Sequence, residues 1–415
     1  MRPRVALIGV SGFAGLYYED LLQLAKVGKL ALTAATVINP EEELEKCTAL
    51  RKAGCEIFSD YREMLATHRN RLELCAVPTG IHHHAPMTIA ALHAGCHVLL
   101  EKPAAATVEE VEQMRTASLA ADRFVAIGYQ HMYAPETQRL KAALLDGLVG
   151  KIRMIKCLGL WPRDAAYYSR NDWAGKLKAG RHWVLDSPFN NALAHWLNLM
   201  LFFAGSEYSQ GAKPVSLKAE LYRTRPMPST DTACLRIQTE TGIPIMFWVS
   251  HSCQREFGPT LEICGSRGTV IWKAQQILLR NPAGESVFAI GSETQETRRH
   301  MLQAVLDRIA GRDSFLCGLE QAGLQTLSSN AAFSCAEIHT IGPEFLEPGK
   351  PDEGEAFAIR GMEEACREAF DTERLWSEMP LPWSRSAGEM KWKHFPAFPG
   401  VRTPLPRNEP ALALG

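Results

Sequence analysis

The sequence predicts an α/β protein in which a doubly wound parallel sheet comes first and an α+β domain with a large, open, mainly antiparallel sheet follows. Two patterns support this prediction. Over roughly the first 128 residues, short apolar strands alternate with helical stretches about five times, which is typical of a doubly wound parallel sheet. Between Val215 and Ile290, short alternating strands follow one another without helices, which is typical of an antiparallel sheet.

The length and the charge of the chain limit its organisation and its partners. With 415 residues it is expected to hold two or three domains. We predict domain boundaries at 1–128, 129–340 and 341–415, the last being a proline- and tryptophan-rich extension packed on the fold or on a neighbouring subunit. Because 45 basic residues balance 46 acidic ones, the composition argues against nucleic acid and anionic membranes as partners.

The cysteines and the apolar runs predict a cytoplasmic protein. The eleven cysteines include no CxxC pair, and no signal peptide precedes the first strand. The longest apolar runs, such as Leu197 to Ala204, are far shorter than a membrane span. We therefore expect reduced thiols and no membrane partner.

The turn after the first strand is typical of a dinucleotide-binding Rossmann domain. In the pattern G-x-G-x-x-G, Gly9 takes the first place, Ser11 the second and Ala14 the third, while Gly12 is offset by one. Serine still permits a close approach of phosphate and adds a hydroxyl donor. We expect the pyrophosphate of the cofactor to contact Gly9, Ser11, Gly12 and Phe13.

The end of the second predicted strand, Leu30 to Ile38, bears on the choice between NAD and NADP. Asn39 follows that strand, where a polar side chain would meet the adenosine ribose. Three glutamates, Glu41 to Glu43, come soon after, and no arginine is near in the sequence, so a 2′-phosphate is disfavoured and NAD is favoured over NADP. Alternatively, the glutamates only begin a helix, since acidic side chains suit a helix N-terminus.

Lys102 stands at the C-terminal end of a buried parallel strand. It follows the apolar run Val98 to Leu100 and Glu101, and it precedes Pro103, which cannot continue the strand pairing. Ligands of open α/β sheets bind at this edge. Lys102 is therefore a candidate catalytic residue, with a solvated lysine in a turn as the alternative.

Three consecutive histidines, His82 to His84, do not predict a metal site. Neighbouring residues on a helix point about 100° apart, and no cysteine or carboxylate lies at ligand spacing nearby. We expect one of the three near the cofactor and the others on the surface. No metal is predicted anywhere in the chain.

Several of these pieces together resemble the Gfo/Idh/MocA family, the group of glucose–fructose oxidoreductase and inositol dehydrogenase. The resemblance rests on the turn Gly9 to Ala14, Pro78-Thr79 with His84, the run Ala94 to Pro103, and Gly128-Tyr129-Gln130 before Pro135. It implies cofactor contacts from Pro78, Thr79, His84, Glu101, Lys102 and Gln130. It also implies a homodimer or homotetramer that assembles through the outer face of the second sheet.

An aromatic and basic loop after the predicted strand Ile152 to Trp161 is a candidate substrate-binding segment. Flat rings stack on the C–H faces of a sugar, and fork-shaped donors bind its hydroxyls. The candidates are Trp161, Arg163, Tyr168, Arg170, Trp173 and His182. The alternative is a loop that packs on its own domain.

His195 is the candidate proton acceptor. With Asn191 and Asn198 it is spaced i, i+4, i+7, so on one helix the three share a face. Relatives in the family place Asp, His and Asp at these positions, and here both carboxylates are amides. An amide orients a histidine without stabilising its cation, so we expect Asn191 to orient His195 and Asp186 to supply the missing charge. The alternative is a structural histidine.

The predicted function is an NAD(P)-dependent oxidoreductase that interconverts a secondary hydroxyl and a carbonyl on a sugar, sugar acid or cyclitol. Lys102 would bind the reacting oxygen, and His195 would take or return its proton. Two alternatives stay open. One is a glycosidase of the same fold that uses tightly held NAD. The other is a non-catalytic protein that senses NAD or a sugar, which the amides at Asn191 and Asn198 favour.

Overall fold

The first domain is a six-stranded sheet whose strands all run parallel. The computed structural model describes residues 2–349, 357–395 and 397–402. The strands of this domain are β1 (Arg4–Ile8), β2 (Ala31–Thr36), β3 (Glu56–Phe58), β4 (Leu74–Val77), β5 (His97–Leu100) and β6 (Val125–Ile127). The helices are α1 (Ala14–Lys26), α2 (Leu44–Lys52), α3 (Tyr61–Thr67), α4 (His84–His93) and α5 (Val108–Ala121).

The strand order β3-β2-β1-β4-β5-β6 confirms the predicted doubly wound sheet. The order reverses between β1 and β4, and at such a switch point the loops on the two sides diverge and leave a crevice for a ligand. The sequence pattern had revealed five of the six strands. It missed β3, because three residues at a sheet edge are too few to show a period.

The second domain is built on a ten-stranded sheet with the order β16-β15-β14-β13-β7-β12-β11-β10-β17, in which β20 also pairs with β10. Its strands are β7 (Ile152–Leu160), β10 (Pro214–Arg223), β11 (Thr232–Thr239), β12 (Pro244–Ser250), β13 (Phe257–Gly265), β14 (Thr269–Lys273), β15 (Gln276–Asn281), β16 (Gly284–Ile290), β17 (Ile338–Thr340) and β20 (Gly388–Lys391). Two short hairpins consist of β8 (Lys178–Ala179) with β9 (His182–Trp183), and of β18 (Leu346–Pro348) with β19 (Phe357–Ile359). The pairing is antiparallel except between β7 and β12 and between β10 and β17, so the predicted open, mainly antiparallel sheet is confirmed.

The helices of the second domain are α6 (Pro135–Leu145), α7 (Ala165–Ser169), α8 (Ala194–Ala204), α9 (Thr294–Ile309), α10 (Leu319–Cys335) and α11 (Met362–Thr372). Side chains alternate between the two faces of the large sheet, as in any strand. On β12, Phe247 belongs to the main core with α8 and α10, while its neighbours Met246 and Trp248 belong to a second apolar cluster on the outer face.

The C-terminal extension covers the centre of that outer face. The second cluster joins Trp248 of β12 to Phe370 of α11 and to Trp376 and Trp383 beyond it. Trp376 is fully buried, and the indole Nε1 of Trp248 donates to the main-chain oxygen of Arg374 at 3.1 Å. The described part of the extension thus packs on its own chain, whereas 350–356, 396 and 403–415 lie outside the described residues.

All eleven cysteines are unpaired, and all but Cys264 are buried. Within the described part of the chain, no helix combines the length and the apolar character that a membrane crossing requires.

Candidate active site

A cavity of about 930 Å³ lies at the C-terminal edge of the parallel sheet. Its wall combines the turn after β1, the ends of β2, β4 and β5, and the loop that follows β7. The predicted site residues that line it are Gly9, Ser11, Gly12, Phe13, Pro78, Thr79, Glu101, Lys102, Arg170, Trp173 and Asn191. The structure therefore places the predicted dinucleotide turn, the candidate catalytic residue Lys102 and part of the predicted substrate loop around one cavity.

The turn after β1 has the backbone geometry of an anion site. Gly9 has φ of 92° and Gly12 has φ of 56°, and residues other than glycine rarely adopt such positive φ angles. Helix α1 begins at Ala14 directly after the turn, so its positive N-terminal end faces the cavity. The Thr79 hydroxyl oxygen on the opposite wall is buried without a hydrogen-bond partner among the described residues. These features fit a dinucleotide, which would supply both a pyrophosphate for the turn and polar groups for Thr79.

The Ser11 hydroxyl is engaged in a hydrogen bond with another side chain. It donates to Glu43 Oε1 at 2.6 Å, and Glu43 is paired with Lys46 Nζ at 2.8 Å. Lys46 Nζ also donates to the main-chain oxygen of Val10 at 2.9 Å. These contacts hold the pKa of the Glu43 carboxyl below its usual value, with Lys46 as the larger cause. A carboxylate therefore stands beside the dinucleotide turn.

Asn39, the predicted ribose ligand, lies outside the cavity wall. Its amide donates to Glu42 Oε2 at 3.1 Å on the surface. The wall is formed instead by Ile38 and by residues 59–62 after β3. In this segment Asp60 Oδ1 accepts from the backbone N–H of Arg62 at 2.7 Å and so begins α3. The sequence contains that capping signal, an aspartate just before a helix, but the missed strand β3 concealed its position at the sheet edge.

His84 supports the cavity from behind. The ring is fully buried, with Nδ1 2.8 Å from the Pro103 oxygen and Nε2 3.1 Å from the Thr79 oxygen. Burial lowers the pKa of His84 to about 4, so the ring is neutral at pH 7 and donates to only one of these two carbonyls. His84 is not in the cavity wall, so it links the β4 loop to the Lys102 loop instead of touching the cofactor.

The other two histidines of the triplet differ from expectation as well. His83 lines the cavity, while the ring of His82 lies 3.9 Å from it, and burial lowers the pKa of His82 to about 4. The expectation that the two histidines away from the cofactor lie on the surface is wrong, since His82 is half-buried and His84 is fully buried, while His83 is the exposed one. Across the described residues, no three His, Cys, Asp or Glu side chains are grouped as metal ligands.

Glu101 is a buried carboxyl group in the cavity wall. It accepts from the Tyr17 hydroxyl at 2.6 Å and from the backbone N–H of Lys102 at 2.9 Å, and burial raises the pKa of its carboxyl. Gly128 leaves room for this pair, because a Cβ there would lie 2.7 Å from Glu101 Oε1. Gln130, a predicted cofactor ligand, is buried in the turn after β6 and is not part of the cavity wall.

Lys102 reaches across the cavity to the second domain. Its Nζ donates to both the main-chain oxygen and Oδ1 of Asn191, each at 2.9 Å. Burial lowers the pKa of the Lys102 ammonium, Arg170 lowers it further, and the carboxylates of Glu101 and Asp186 oppose that change. The lysine is therefore an oriented hydrogen-bond donor, and the solvated-turn alternative is wrong.

Asn191 binds Lys102 and is itself held by Asp186, so these two residues orient Lys102 and not His195. The Asn191 amide donates to Asp186 Oδ1 at 2.8 Å, and Asp186 Oδ2 accepts from the backbone N–H of Gly175 at 2.7 Å. Burial raises the pKa of the Asp186 carboxyl against these donors. The expectation that both residues orient His195 is wrong, because helix α8 begins only at Ala194 and Asn191 lies in the preceding turn.

His195 lies in the first turn of α8 between two aromatic rings. The centroid of Tyr129 is 5.5 Å from the His195 ring and that of His131 is 5.2 Å away, both in edge contact. Its Nδ1 is buried without a hydrogen-bond partner among the described residues. Burial, followed by His131 and Lys102, lowers the pKa of His195 well below its usual value. The imidazole is therefore neutral at pH 7 and free to accept a proton.

Asn198, the third residue of the predicted face, is not part of the site. It is fully buried, and its Oδ1 accepts from Gln321 Nε2 of α10 at 3.2 Å. Its Nδ2 lies 2.7 Å from the sulfur of Met132. An amide at this position therefore joins α8 to α10 and says nothing about the proton relay.

The predicted substrate loop divides into two parts. Arg170 and Trp173 line the cavity, and the Arg170 guanidinium lies 5.5 Å from the Trp173 ring. Trp161, Arg163 and Tyr168 lie further along the loop, where the Arg163 guanidinium is 5.6 Å from the Trp161 ring. His182 is exposed on the hairpin β8–β9 and is not part of the cavity wall.

Helix α10 holds the loop before α8 in place, which the sequence did not reveal. Gln325 Nε2 donates to Phe189 O at 3.0 Å and to Asn190 Oδ1 at 3.1 Å, and Gln325 Oε1 accepts from the Tyr129 hydroxyl at 3.0 Å. All four side chains are buried. A polar residue inside a helix far along the chain carries no local signal that it supports a site.

The comparisons with known proteins agree with this geometry. Residues 3–129 match the family described as "Oxidoreductase family, NAD-binding Rossmann fold", and residues 137–271 match the "GFO/IDH/MocA C-terminal domain". Inositol 2-dehydrogenase of Pseudomonas savastanoi pv. phaseolicola is 24% identical over 282 residues, which are 66% of this chain and 77% of that protein. D-glucoside 3-dehydrogenase of Escherichia coli is 28% identical over 155 residues, or 36% of this chain and 41% of that protein.

Solved structures show the same fold. The WlbA dehydrogenase of Bordetella pertussis, in complex with NADH and UDP-GlcNAcA, has a TM-score of 0.64 and 21% identity over 80% of this chain and 95% of that chain. A levoglucosan dehydrogenase in complex with NADH and levoglucosan has a TM-score of 0.68 and 18% identity over 80% of this chain and 96% of that chain. With both domain matches covering more than half of its length, the chain belongs to the Gfo/Idh/MocA family of oxidoreductases and carries that family's NAD-binding Rossmann domain.

Proposed function

We propose that this protein interconverts a secondary hydroxyl and a carbonyl on a sugar, sugar acid or cyclitol with NAD as the hydride carrier. One observation carries the proposal: Lys102 stands in the same cavity as the dinucleotide turn, and its ammonium is fixed by Asn191 at 2.9 Å. The names of the relatives support a polyol substrate, since they include inositol and glucoside dehydrogenases.

Two side chains of the protein act on the reacting hydroxyl, one as a hydrogen-bond donor and one as a proton acceptor. Lys102 donates a hydrogen bond to the reacting oxygen, which steadies the negative charge that develops there as the hydroxyl loses its proton. His195, neutral at pH 7, accepts that proton at a ring nitrogen and returns it in the reverse direction. NAD, bound with its pyrophosphate at the Gly9 turn, supplies the hydride acceptor.

The choice of NAD over NADP rests on Glu43. Its carboxylate is bonded to Ser11 at 2.6 Å and is kept ionised by Lys46. A 2′-phosphate brought near this carboxylate would be repelled, while ribose hydroxyls could donate to it. Arg62 lines the cavity as well, but it stacks on Tyr61 at 4.6 Å and lies 3.8 Å from Asp60.

The proposed activity is tested by NADH formation. Purified protein is incubated with NAD and a panel of cyclitols, aldoses, uronic acids and glycosides, and absorbance of NADH is followed. We expect turnover of at least one class. NAD binding without turnover of any compound would contradict the proposal and favour a sensor, whereas sugar release from a glycoside without net NADH would favour a glycosidase.

We propose that copies of the chain associate through the outer strands of the large sheet. Helix α11 and the two buried tryptophans cover its centre, so the contact is restricted to β13–β16. Phe257, Val287 and Ile290 of these strands are exposed, at 40%, 58% and 62%. Light scattering on the full chain is expected to show a homo-oligomer that Val287→Glu with Ile290→Glu dissociates, and an unchanged mass would place the contact elsewhere.

A further inference from the structure

Two arginines of the substrate loop pack against the ring of one tyrosine, Tyr167. The Arg170 guanidinium lies 3.7 Å from the Tyr167 ring centroid, and that of Arg163 lies 4.8 Å from the same centroid. Both stacks fix planar groups that carry several N–H donors each. The two positive charges share one ring, and Arg170 also lowers the pKa of the Lys102 ammonium, which burial lowers first, so this end of the loop favours an anionic group.

Burial raises the pKa of the Asp186 carboxyl and the charge of Arg170 opposes that change, so these two groups interact through space. Neither Arg163 nor Arg170 donates a hydrogen bond to a carboxylate of the described residues. The hydrogen bonds of Arg163 and Arg170 to oxygens of the described main chain go to Pro162 and Tyr167. The hydrogen bonds that Asp186 accepts come from Asn191 and from the backbone N–H of Gly175. Asp164 accepts from the Tyr167 backbone N–H at 2.8 Å and begins α7. His251, packed on Tyr167 at 5.6 Å, is neutral because burial and then Arg163 lower its pKa to about 3.

The same place contains polar atoms that lack partners. Arg163 Nε and the Tyr168 hydroxyl are buried and form no hydrogen bond within the described residues. Unsatisfied buried donors are costly in a folded protein, so they indicate a group that the free protein lacks. Arg170 lies in the wall of the cavity with Lys102, and it shares the Tyr167 ring with Arg163, so the two guanidinium groups lead from the cavity wall toward these donors.

We propose that Arg163 and Arg170 form an anion subsite, which binds a carboxylate or a phosphate group carried by the substrate while its hydroxyl lies at Lys102. This inference rests on the proposed function and narrows its substrate class to acidic or phosphorylated sugars and cyclitols. Guanidinium forks match the oxygens of either group in pairs, which a neutral hydroxyl cannot do.

Binding is measured without turnover, so that this inference and the proposed function can fail separately. The NAD-loaded protein is titrated with glucose, glucuronate and glucose 6-phosphate, with acetate and inorganic phosphate as minimal anions, and tryptophan fluorescence is followed. We expect one anionic sugar to bind about 10-fold to 100-fold more tightly than glucose, the range that hydrogen bonds to a charged group provide. Preference for glucuronate identifies a carboxylate, and preference for glucose 6-phosphate identifies a phosphate.

The variants are Arg170→Gln and Arg163→Gln, with Arg153→Gln on the exposed side of β7 as the matched control. Each loop variant should lose most of the preference for the anion and keep the affinity for glucose and NAD, and the control should keep everything. If Arg163→Gln fails to fold, Arg170→Gln at an exposed position still decides the matter. Equal binding of glucose and the anions, failure of every anion to bind, or a loss of NAD affinity in Arg170→Gln overturns the proposal.

Discussion

Lys102 of the Rossmann domain donates two hydrogen bonds to Asn191 of the second domain, both at 2.9 Å. The contact joins the two halves of the cavity and holds the ammonium at the end of β5. A substrate oxygen would accept a hydrogen bond from this ammonium in place of Asn191 or together with it. Asn191 in turn is held by Asp186, so one buried carboxylate acts on the lysine through a neutral amide. This chain of contacts leads to the first two predictions.

Replacing Lys102 with alanine should lower kcat by about 10² to 10⁴, the range that positioned proton-transfer and hydrogen-bonding groups contribute. Affinity for NAD should stay within about twofold, because the pyrophosphate turn around Gly9 is untouched. Steady-state kinetics give the first quantity and fluorescence titration the second. Turnover at the parent rate would show that another group binds the reacting oxygen.

Asn191→Asp should move the alkaline limit of activity to higher pH. A negative charge next to the ammonium favours its protonated form, so the pKa of Lys102, which burial lowers in the parent, rises. Since the lysine acts as a charged donor, activity is lost above its pKa, and the variant keeps activity at pH values where the parent loses it. Asp186→Asn should shift the same limit downward. A limit that moves in neither variant would mean that it belongs to a different group.

The acidic limit of activity reports on His195. A base acts in its neutral form, and burial, His131 and Lys102 lower the pKa of this histidine well below 6.5. Activity should therefore persist below pH 6.5 before it falls. His195→Asn should reduce kcat and remove that limb from the pH profile of kcat/KM. A wild-type limb at pH 6.5 or above that survives in His195→Asn would exclude this histidine as the base.

The sequence predicted the parts of this site that short stretches of backbone determine. Gly9 and Gly12 are required by positive φ angles in one turn, and Lys102 follows from the end of one strand, so both are readable locally. The helix start at Ala194 was missed because it depends on distant contacts. Asn190 Nδ2 donates to Val184 and Leu185 oxygens, and Gln325 reaches the same segment from α10.

The fold itself was predictable down to its two sheets, because hydrophobic period is a property of each segment. The cover over the outer face was not predictable, since Trp376 and Trp383 give the same composition whether they pack on their own chain or on a neighbour. The prediction of the residues around the cofactor was partly wrong for a similar reason. Glu43 reaches Ser11 from a loop whose path depends on how β2 pairs with β3.

Glu43→Gln should weaken the discrimination against NADP. It removes the negative charge beside the dinucleotide turn, so the ratio of NADP to NAD dissociation constants should fall by about tenfold, equivalent to about 1.4 kcal/mol. Glu42→Gln is the matched control, because Glu42 bonds Asn39 on the surface, whereas Glu43 bonds Ser11 of the dinucleotide turn. Titrations with each cofactor measure both. An equal ratio in Glu43→Gln and the parent would place the source of discrimination at Asp60 or elsewhere.

Gly128→Ala should lower both the stability of the protein and its turnover rate. The added Cβ would lie 2.7 Å from Glu101 Oε1 and 2.9 Å from the Tyr17 hydroxyl, and both side chains are buried, so neither can move freely. Overpacking of this kind costs about 1 to 3 kcal/mol, which lowers Tm. Glu101 also accepts from the Lys102 backbone N–H at 2.9 Å, so its displacement moves Lys102, the proposed donor to the reacting oxygen, and should lower kcat.

The control for Gly128→Ala is Gly318→Ala, because Gly318 precedes α10 with φ of −81° and a Cβ there meets nothing within 4 Å. Calorimetry and steady-state kinetics are run on both variants. The control should keep Tm and kcat close to the parent values. A Gly128→Ala protein with unchanged Tm would show that the Glu101–Tyr17 pair relaxes readily. A lowered Tm with unchanged kcat would separate that pair from the placement of Lys102, and this placement would then depend on Asn191 alone.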